Sequence, residues 1–572
     1  MSGSKPQNIV QNPPFTIPNL RLDGFRANLP LSSAEIHSTL RSLEPIQAPN
    51  ESEIAKIQEN VAHDLRIYET LIQELRARQA TLRWDGAAYL SLRSPIRRMP
   101  SEILRLIFAF ATEWCTFGVR DKAQNEPNSD RLESAPFRLE RVCVRWREIV
   151  IGYPKLWSRI AVDLSRMSGI RLRRCIERSQ QHPLSLYLIE STGQSDPKTI
   201  RLFTEQCGRW QSIRFIGLSE PALQVLSGVS QLPSLEGIVC QESVAEAFHR
   251  HLTNATKLKF LTLRVKDFDR LFSNPLPFGD LRHLILENQS ADSLTKLVNV
   301  LASCGPNLTT LEYAGPADIF HLSSEESPHM PSAGDQPIPV ILSGLSSLTV
   351  TVWEDHGPYR MLEDLVSSVT APCLTKLFLH LDCQTEIDQP GFECDWPRDA
   401  VHSFLARSQC QLTDLTLSGM PLSDAEVLAL LKMTPNLSSF ALQEIWAPSD
   451  DVSDKPDLPL VRTVTKSLLE QLFGPVLQTT LYGEHAHALV PSLRKLQLKV
   501  QAHFDDDVTF VEMVRSRWFS WGRDPYRRLE RLREVQLEVL GRTLDRDIYE
   551  PLSYVEQDGM RVVIKGQGKR VV

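Results

Sequence analysis

From Ser52 onward the apolar positions recur with a helical period. Ile54, Val61, Tyr68, Leu75, Leu82 and Tyr89 stand seven apart, with Ile57 and Leu71 at the intervening position. This heptad predicts a long amphipathic helix over about 52–84, within a segment 52–90 that can pair as a coiled coil. Asp64, Arg78 and Asp85 interrupt the second position, and Leu65 and Ile72 widen the stripe. Pairing with another helix and lying back on its own chain both remain open. The preceding residues 1–50 hold seven prolines and no sustained period, which predicts a disordered lead-in.

Two compact apolar faces follow. In SPIRRMPSEILRLIFAFA, Ser94 to Ala111, the run Pro100, Ser101, Glu102 makes a good helix start. Proline fixes φ there, and an acid suits the first turn. Ile103, Leu104, Ile107 and Phe108 then form one face. Beyond the polar stretch RDKAQNEPNSDRLES, a second helix is predicted over Arg138–Ile151. It puts Val142, Cys143, Trp146, Ile149 and Val150 on one side and Arg141, Arg145, Arg147 and Glu148 on the other, and ends before Gly152 and Pro154. Two short helices cannot close a core alone, so a partner or the rest of the chain must complete this module.

After Trp157 the period drops to two. LWSRIAVDLS (156–165) and HPLSLYLIES (182–191) read as strands, with the Arg-rich helical turn IRLRRCIERS between them. A unit L-x-x-L-x-L then keeps returning, as in KLKFLTLRV, DLRHLILEN, NLTTLEY, CLTKLFLHL, QLTDLTLSG, NLSSFALQ, SLRKLQLKV and RLREVQLEV. Looser members are RWQSIRFIG, SLEGIVC and SLTVTVW. Leu235, Leu258, Leu281 and Leu308 are 23, 23 and 27 residues apart; Leu348 to Leu374 is 26 and Leu412 to Leu437 is 25. These spacings match leucine-rich repeats, in which each unit adds one strand to a stacked parallel sheet. The intervening stretches read as helices, and Cys207, Cys304 and Cys410 precede strands, where a small apolar side chain packs inside the turn. Polar insertions are predicted near 315–340 and 446–460. The asparagine usual after the L-x-L strand is mostly absent, so the repeats are irregular. The predicted fold class is α/β: a long helix, a small helical module over 94–164, an irregular leucine-rich-repeat-like solenoid over 165–560 and a tail over 561–572.

Composition narrows the chemistry. A net charge of −7 gives no basic field for nucleic acid or acidic lipid. The ten cysteines include no C-x-x-C pair. With no charged-plus-apolar leader and no membrane-length apolar run, the five N-x-S/T sequons at Asn50, Asn254, Asn288, Asn307 and Asn436 read as chance. An intracellular location, cytoplasmic or nuclear, is expected. His485–His487 and Phe504–Asp507 are isolated metal-ligand clusters without partners at useful spacing. No phosphate loop or catalytic motif occurs, so neither metal, cofactor nor enzymatic activity is expected.

The segments SPIRRMPSEILRLIF, FRLERVCVRWREIV and YPKLW together resemble the F-box, in the form common among fungal F-box proteins. The resemblance spans 63 residues, Pro95 to Trp157, with Met99 where that family most often has leucine and a long polar insertion at roughly 120–135. It implies that Pro100, Ile103, Leu104, Ile107 and Phe108, with Leu139, Val142, Cys143 and Trp146, form or support a surface gripping a Skp-type adaptor. Leu156 and Trp157 would close the module against the first repeat strand. The implied function is that of a non-catalytic substrate-recognition subunit of an SCF-type cullin–RING ubiquitin ligase. Its repeats would hold an unidentified protein target, with Arg282, His283, Lys376, Asp414 and Lys495 beside the L-x-L strands as candidate contacts. The alternative is a leucine-rich-repeat interaction scaffold that delivers nothing for ubiquitination.

Overall fold

A computed structural model describes residues 26–42, 51–112, 114–117, 135–166, 169–193, 196–229, 231–241, 244, 252, 254–265, 278–288, 294–316, 339–353, 360–382, 396–444, 462–474, 489–519 and 530–572. The chain divides into two compact units, Met1–Leu104 and Arg105–Val572.

The first unit contains α1 (Ser33–Leu40) and the long α2 (Glu51–Leu92). The second helix outruns the predicted 52–84 because nothing before Ser94 and Pro95 stops it; Gly86 alone lowers helix propensity without breaking the helix. Asp64, which interrupts the heptad, is buried. Its carboxylate accepts hydrogen bonds from the backbone N–H groups of Arg26 and Ala27, each at 2.8 Å. One of the three residues that spoil the coiled-coil pattern thus ties the preceding segment to the helix. Within 26–42 the disordered lead-in is corrected to an ordered turn and helix, started by a capping box in which Ser32 and Glu35 satisfy each other's backbone N–H groups. Residues 1–25 and 43–50 lie outside the described residues.

Among the described residues, the second unit is organised by one sheet of 16 strands that follow each other in chain order. It begins with β1 (Cys115–Phe117) and β2 (Arg159–Asp163) and continues through Leu184–Ile189. The repeat stretches supply Trp210–Ile216, Gly237–Gln241, Phe260–Val265, His283–Asn288, Thr310–Pro316 and Ser347–Trp353. Lys376–Asp382, Asp414–Ser418, Ser439–Gln443, Lys495–Val500 and Glu534–Val539 follow. Every stretch read as a repeat strand is therefore a strand, and each pairs in parallel with its predecessor. Helices such as α-helical Leu294–Cys304, Arg398–Ser408 and Asp424–Met433 connect them. Alternation explains the packing. Leu261, Leu284, Leu311, Leu348, Leu377, Leu415, Phe440 and Leu496 stand opposite one another across successive strands. All are buried, each contributing about 1.5–3 kcal/mol of transfer free energy.

Register corrects one spacing. Ser347 pairs with Thr310 and Lys376, which makes Leu345, and not Leu348, the equivalent of Leu308 and Leu374. Thr310–Pro316 pairs directly with Ser347–Trp353 in the main sheet, and Val340–Ile341 pairs in parallel with Val369–Thr370 in a separate two-stranded sheet. Most of the predicted insertions near 315–340 and 446–460 lies outside the described residues. The 561–572 tail is a second correction. Arg561–Gly566 pairs in parallel with Glu534–Val539, and Lys569–Arg570 folds back antiparallel, so this segment closes the sheet.

The missing asparagine has a structural counterpart. In five consecutive units the residue after the leading leucine is Thr or Ser, and its hydroxyl reaches the carbonyl of its equivalent one unit earlier. Thr309 donates to Arg282 O at 2.9 Å, Ser346 to Thr309 O at 3.0 Å and Thr375 to Ser346 O at 3.0 Å. The Thr413 hydroxyl lies 3.2 Å from Thr375 O but shares its one proton with the Asp414 carboxylate at 2.7 Å, and Ser438 donates to Thr413 O at 3.1 Å. Those carbonyls also accept two backbone N–H groups each, as when Thr375 and Lys376 both donate to Ser346 O. The ladder holds successive units in register at the strand entry.

Candidate interaction surfaces

The helix α3 (Ser101–Ala111) starts just after Pro100, as its sequence predicts. In the first unit Pro100 and Ile103 are exposed and Leu104 is fully buried. In the second, Ile107 is half-buried and Phe108 is 1% exposed. Leu104 and Phe108 are thus core residues, placed to support a surface and not to lie on it. The side of α3 turned away from Phe108 is also apolar: Leu106 is 52% exposed and Phe110 is 86% exposed. Sequence periodicity had missed both, because this helix is apolar nearly all round.

The second predicted helix is two. α4 (Ala135–Leu139) and α5 (Val144–Ile151) are separated by a turn that ends at Cys143, whose backbone is extended with φ −164° and ψ 169°. A thiol is a weak acceptor, and Cys143 makes no side-chain cap hydrogen bond. Val142 therefore leaves the predicted helical face and is exposed, as is Val144 at the first position of α5. Leu139 and Cys143 are half-buried. Trp146, also half-buried, lies against Phe108 with ring centroids 4.7 Å apart and an interplanar angle of 58°. Ile149 and Val150 complete the buried side.

Leu156 and Trp157 are buried in a short turn, Pro154–Trp157, where the sequence suggested the beginning of a strand. Arg159 pairs with Ser185, so Trp157 holds the position that leading leucines take in later units. Its indole N–H donates to Val150 O at 2.8 Å, and its ring meets Phe137 edge-on at 5.1 Å. Arg178, at the end of α6 (Gly169–Arg178), lies over Trp157 at 4.5 Å and binds Glu140 at 2.7 Å. The strand β1 pairs with β2, and Cys115 Sγ donates to Leu156 O at 3.2 Å. A hydrogen bond with Cys115, together with burial, raises the Cys175 thiol far above its ordinary value. Residues 115–117 and 135–157 are thereby built onto the first rungs of the sheet. Nothing in the pattern of IRLRRCIERS sets Arg178 apart from its neighbouring arginines; its role depends on residues 38 positions away.

On the opposite-parity face of the strands, four predicted target contacts fall at one level. His283 stands opposite Phe260 and Thr310, and Lys376 stands opposite Asp414. Ser439 separates Asp414 from Lys495 at the same level. Arg282 is one residue earlier, exposed, with its carbonyl in the hydroxyl ladder. Some of these side chains have internal partners. Lys495 lies 3.6 Å from Glu534, Asp414 accepts the Thr413 hydroxyl at 2.7 Å, and the His283 ring is 6.0 Å from that of Phe260. Lys376 extends from the face as an exposed cation.

The acidic run at Phe504–Asp507 is structural: Arg542 donates to both Asp507 oxygens, and the Tyr549 hydroxyl donates to one of them. His485–His487 lies outside the described residues, among which no group of three metal-ligating side chains converges. Among the described residues no helix is long and apolar enough to cross a membrane. No known family model matches the chain, and no curated protein matches it.

Proposed function

We propose that the chain is a substrate-recognition subunit of F-box type, joining a Skp-type adaptor of a cullin–RING ubiquitin ligase to a protein target. The observation that carries this reading is the bare apolar side of α3. Leu106 and Phe110 are exposed although the opposite side of the same helix is packed, and Val142 and Val144 are exposed at the entry to α5. Soluble chains seldom leave such side chains in water without an interface to cover them. The proposed adaptor surface is Leu106, Ile107, Phe110, Val142 and Val144, with Trp146 beside them against Phe108. The sheet face holds the target. The ligase contribution is proximity: one end is tethered while the other raises the local concentration of its cargo.

Co-expression of the full chain with a Skp-type adaptor tests this. Leu106→Asp with Phe110→Asp should abolish co-purification while leaving the far-ultraviolet circular dichroism unchanged, because both side chains are exposed. Undiminished co-purification would refute the adaptor assignment. Adaptor binding without adaptor-dependent turnover of any captured protein would leave a scaffold that binds but does not deliver.

A further inference from the structure

Across the middle of the sheet, Arg264 stands opposite Glu287, Glu287 opposite Ala314, and Ala314 opposite Thr351. Ala314 is the smallest side chain of that row, and a depression of about 430 Å³ opens over it. One wall is the Arg264–Glu287 ion pair at 2.6 Å; the other is the half-buried indole of Trp353. Ile285, Glu312 and Thr349 stand opposite one another at the next level and line the base. Cavities of this size are ample for one large side chain with its flanking backbone.

The charge balance is specific. Arg264 is already engaged by Glu287, whereas Glu312 makes no hydrogen bond or ion pair among the described residues. Among the described lining residues, two carboxylates against one guanidinium leave a single negative charge facing an aromatic wall. An anion would meet Glu312 and Glu287, and a neutral apolar group would desolvate Glu312 without giving it a donor. A cation on an apolar stem meets every demand: its stem covers Ile285, its charge pairs with Glu312, and its face lies on Trp353. A planar guanidinium can stack and bind a carboxylate through two parallel N–H groups at once, which a compact ammonium cannot.

We infer that this depression seats one arginine side chain of the bound target. The inference rests on the reading that the sheet face is the target surface, and it names the chemistry that surface selects.

The test uses the full chain labelled with 5-fluorotryptophan, with the Trp353 resonance assigned by its loss in Trp353→Phe. The probe is the blocked tripeptide acetyl-Ala-Arg-Ala-amide, compared with the same peptide carrying citrulline, lysine or glutamate. The arginine peptide should shift the Trp353 resonance saturably in the millimolar range, as expected for one side chain. The neutral citrulline peptide should bind about tenfold more weakly or worse, and Glu312→Gln should weaken the arginine peptide by a similar factor. Lysine should be intermediate. An equal response to citrulline, a preference for glutamate, or no saturable shift with arginine would each overturn the inference, and the peptide comparison holds even if a variant fails to fold. Co-purification of the adaptor with Glu312→Gln reads the adaptor assignment separately: its loss would implicate the fold, whereas its retention keeps the two questions apart.

Discussion

The guanidinium of Arg178 lies 4.5 Å from the centre of the Trp157 ring while it pairs with Glu140 at 2.7 Å. One side chain from the first repeat helix thus holds both the turn before β2 and the loop after α4. Both partners of the ion pair are largely shielded from water, so solvent screening is reduced. Arg178→Ala should destabilise this end by about 1–3 kcal/mol, combining a cation–π contact with a partly buried ion pair. Amide exchange should quicken over 135–157 and stay unchanged over 396–444. Uniform quickening across both would show that the contact stabilises the whole unit and not the junction.

Gly344 should tolerate no side chain. A Cβ placed there would lie 1.9 Å from Pro306 O, a backbone atom that cannot swing aside. Gly344→Ala should therefore cost more than about 2 kcal/mol in a thermal or urea melt. Gly86 is the control: nothing lies within 4 Å of its added Cβ in the last two turns of α2. Gly86→Ala should stabilise that helix by about 0.5–1 kcal/mol and increase helicity.

How far these features were legible differs by element. The strands were legible because leucine alternation is local and each unit repeats it. The phase at Leu345 was not, since GLSSLTVTV offers two leucines three apart and only pairing with Thr310 chooses between them. The break at Cys143 was hidden because its neighbours keep helical spacing on both sides. Arg561–Gly566 read as a tail because its short alternation ends in glycine; the preceding rung supplies its ladder partners. At the candidate surface, periodicity could mark apolar positions on α3 but not which side would be covered. It therefore chose Leu104 and Phe108 and passed over Leu106 and Phe110.

The hydroxyl ladder should be stabilising in small, repeated amounts. Thr375→Val keeps the shape but removes the donor to Ser346 O, which retains two backbone N–H donors. The expected loss is about 1 kcal/mol in urea unfolding. Replacing Thr309, Thr375 and Thr413 together should lose roughly the sum, because the sites lie on different rungs. No loss in the triple variant would reduce the ladder to a geometric coincidence.

Alkaline pH should unfold the chain partly through its buried thiols. Burial pushes Cys240 and Cys304 up to about 12 from an ordinary 9.0. The unfolded chain releases those protons near pH 9 while the folded chain keeps them. Their contribution is therefore whole below pH 9 and declines as pH rises toward 12, at up to about 1.4 kcal/mol per pH unit for each thiol. Replacing both with alanine should flatten the fall of the urea midpoint over that window. An unchanged slope would show that other groups dominate it.

Because β1 is the first described strand of the sheet that carries the repeats, Cys115–Phe117 and the depression over Ala314 share one ruler. Seven strand-to-strand steps separate Cys115–Phe117 from Thr310–Pro316, roughly 34 Å along the sheet at the usual strand spacing. Loops inserted between rungs leave that reading untouched, as the direct pairing of Thr310 with Ser347 illustrates. Adding or deleting a whole rung would instead lengthen or shorten it by about 5 Å. Separation along the sheet is thus graduated in units of one repeat, while loop length is free to vary at constant separation.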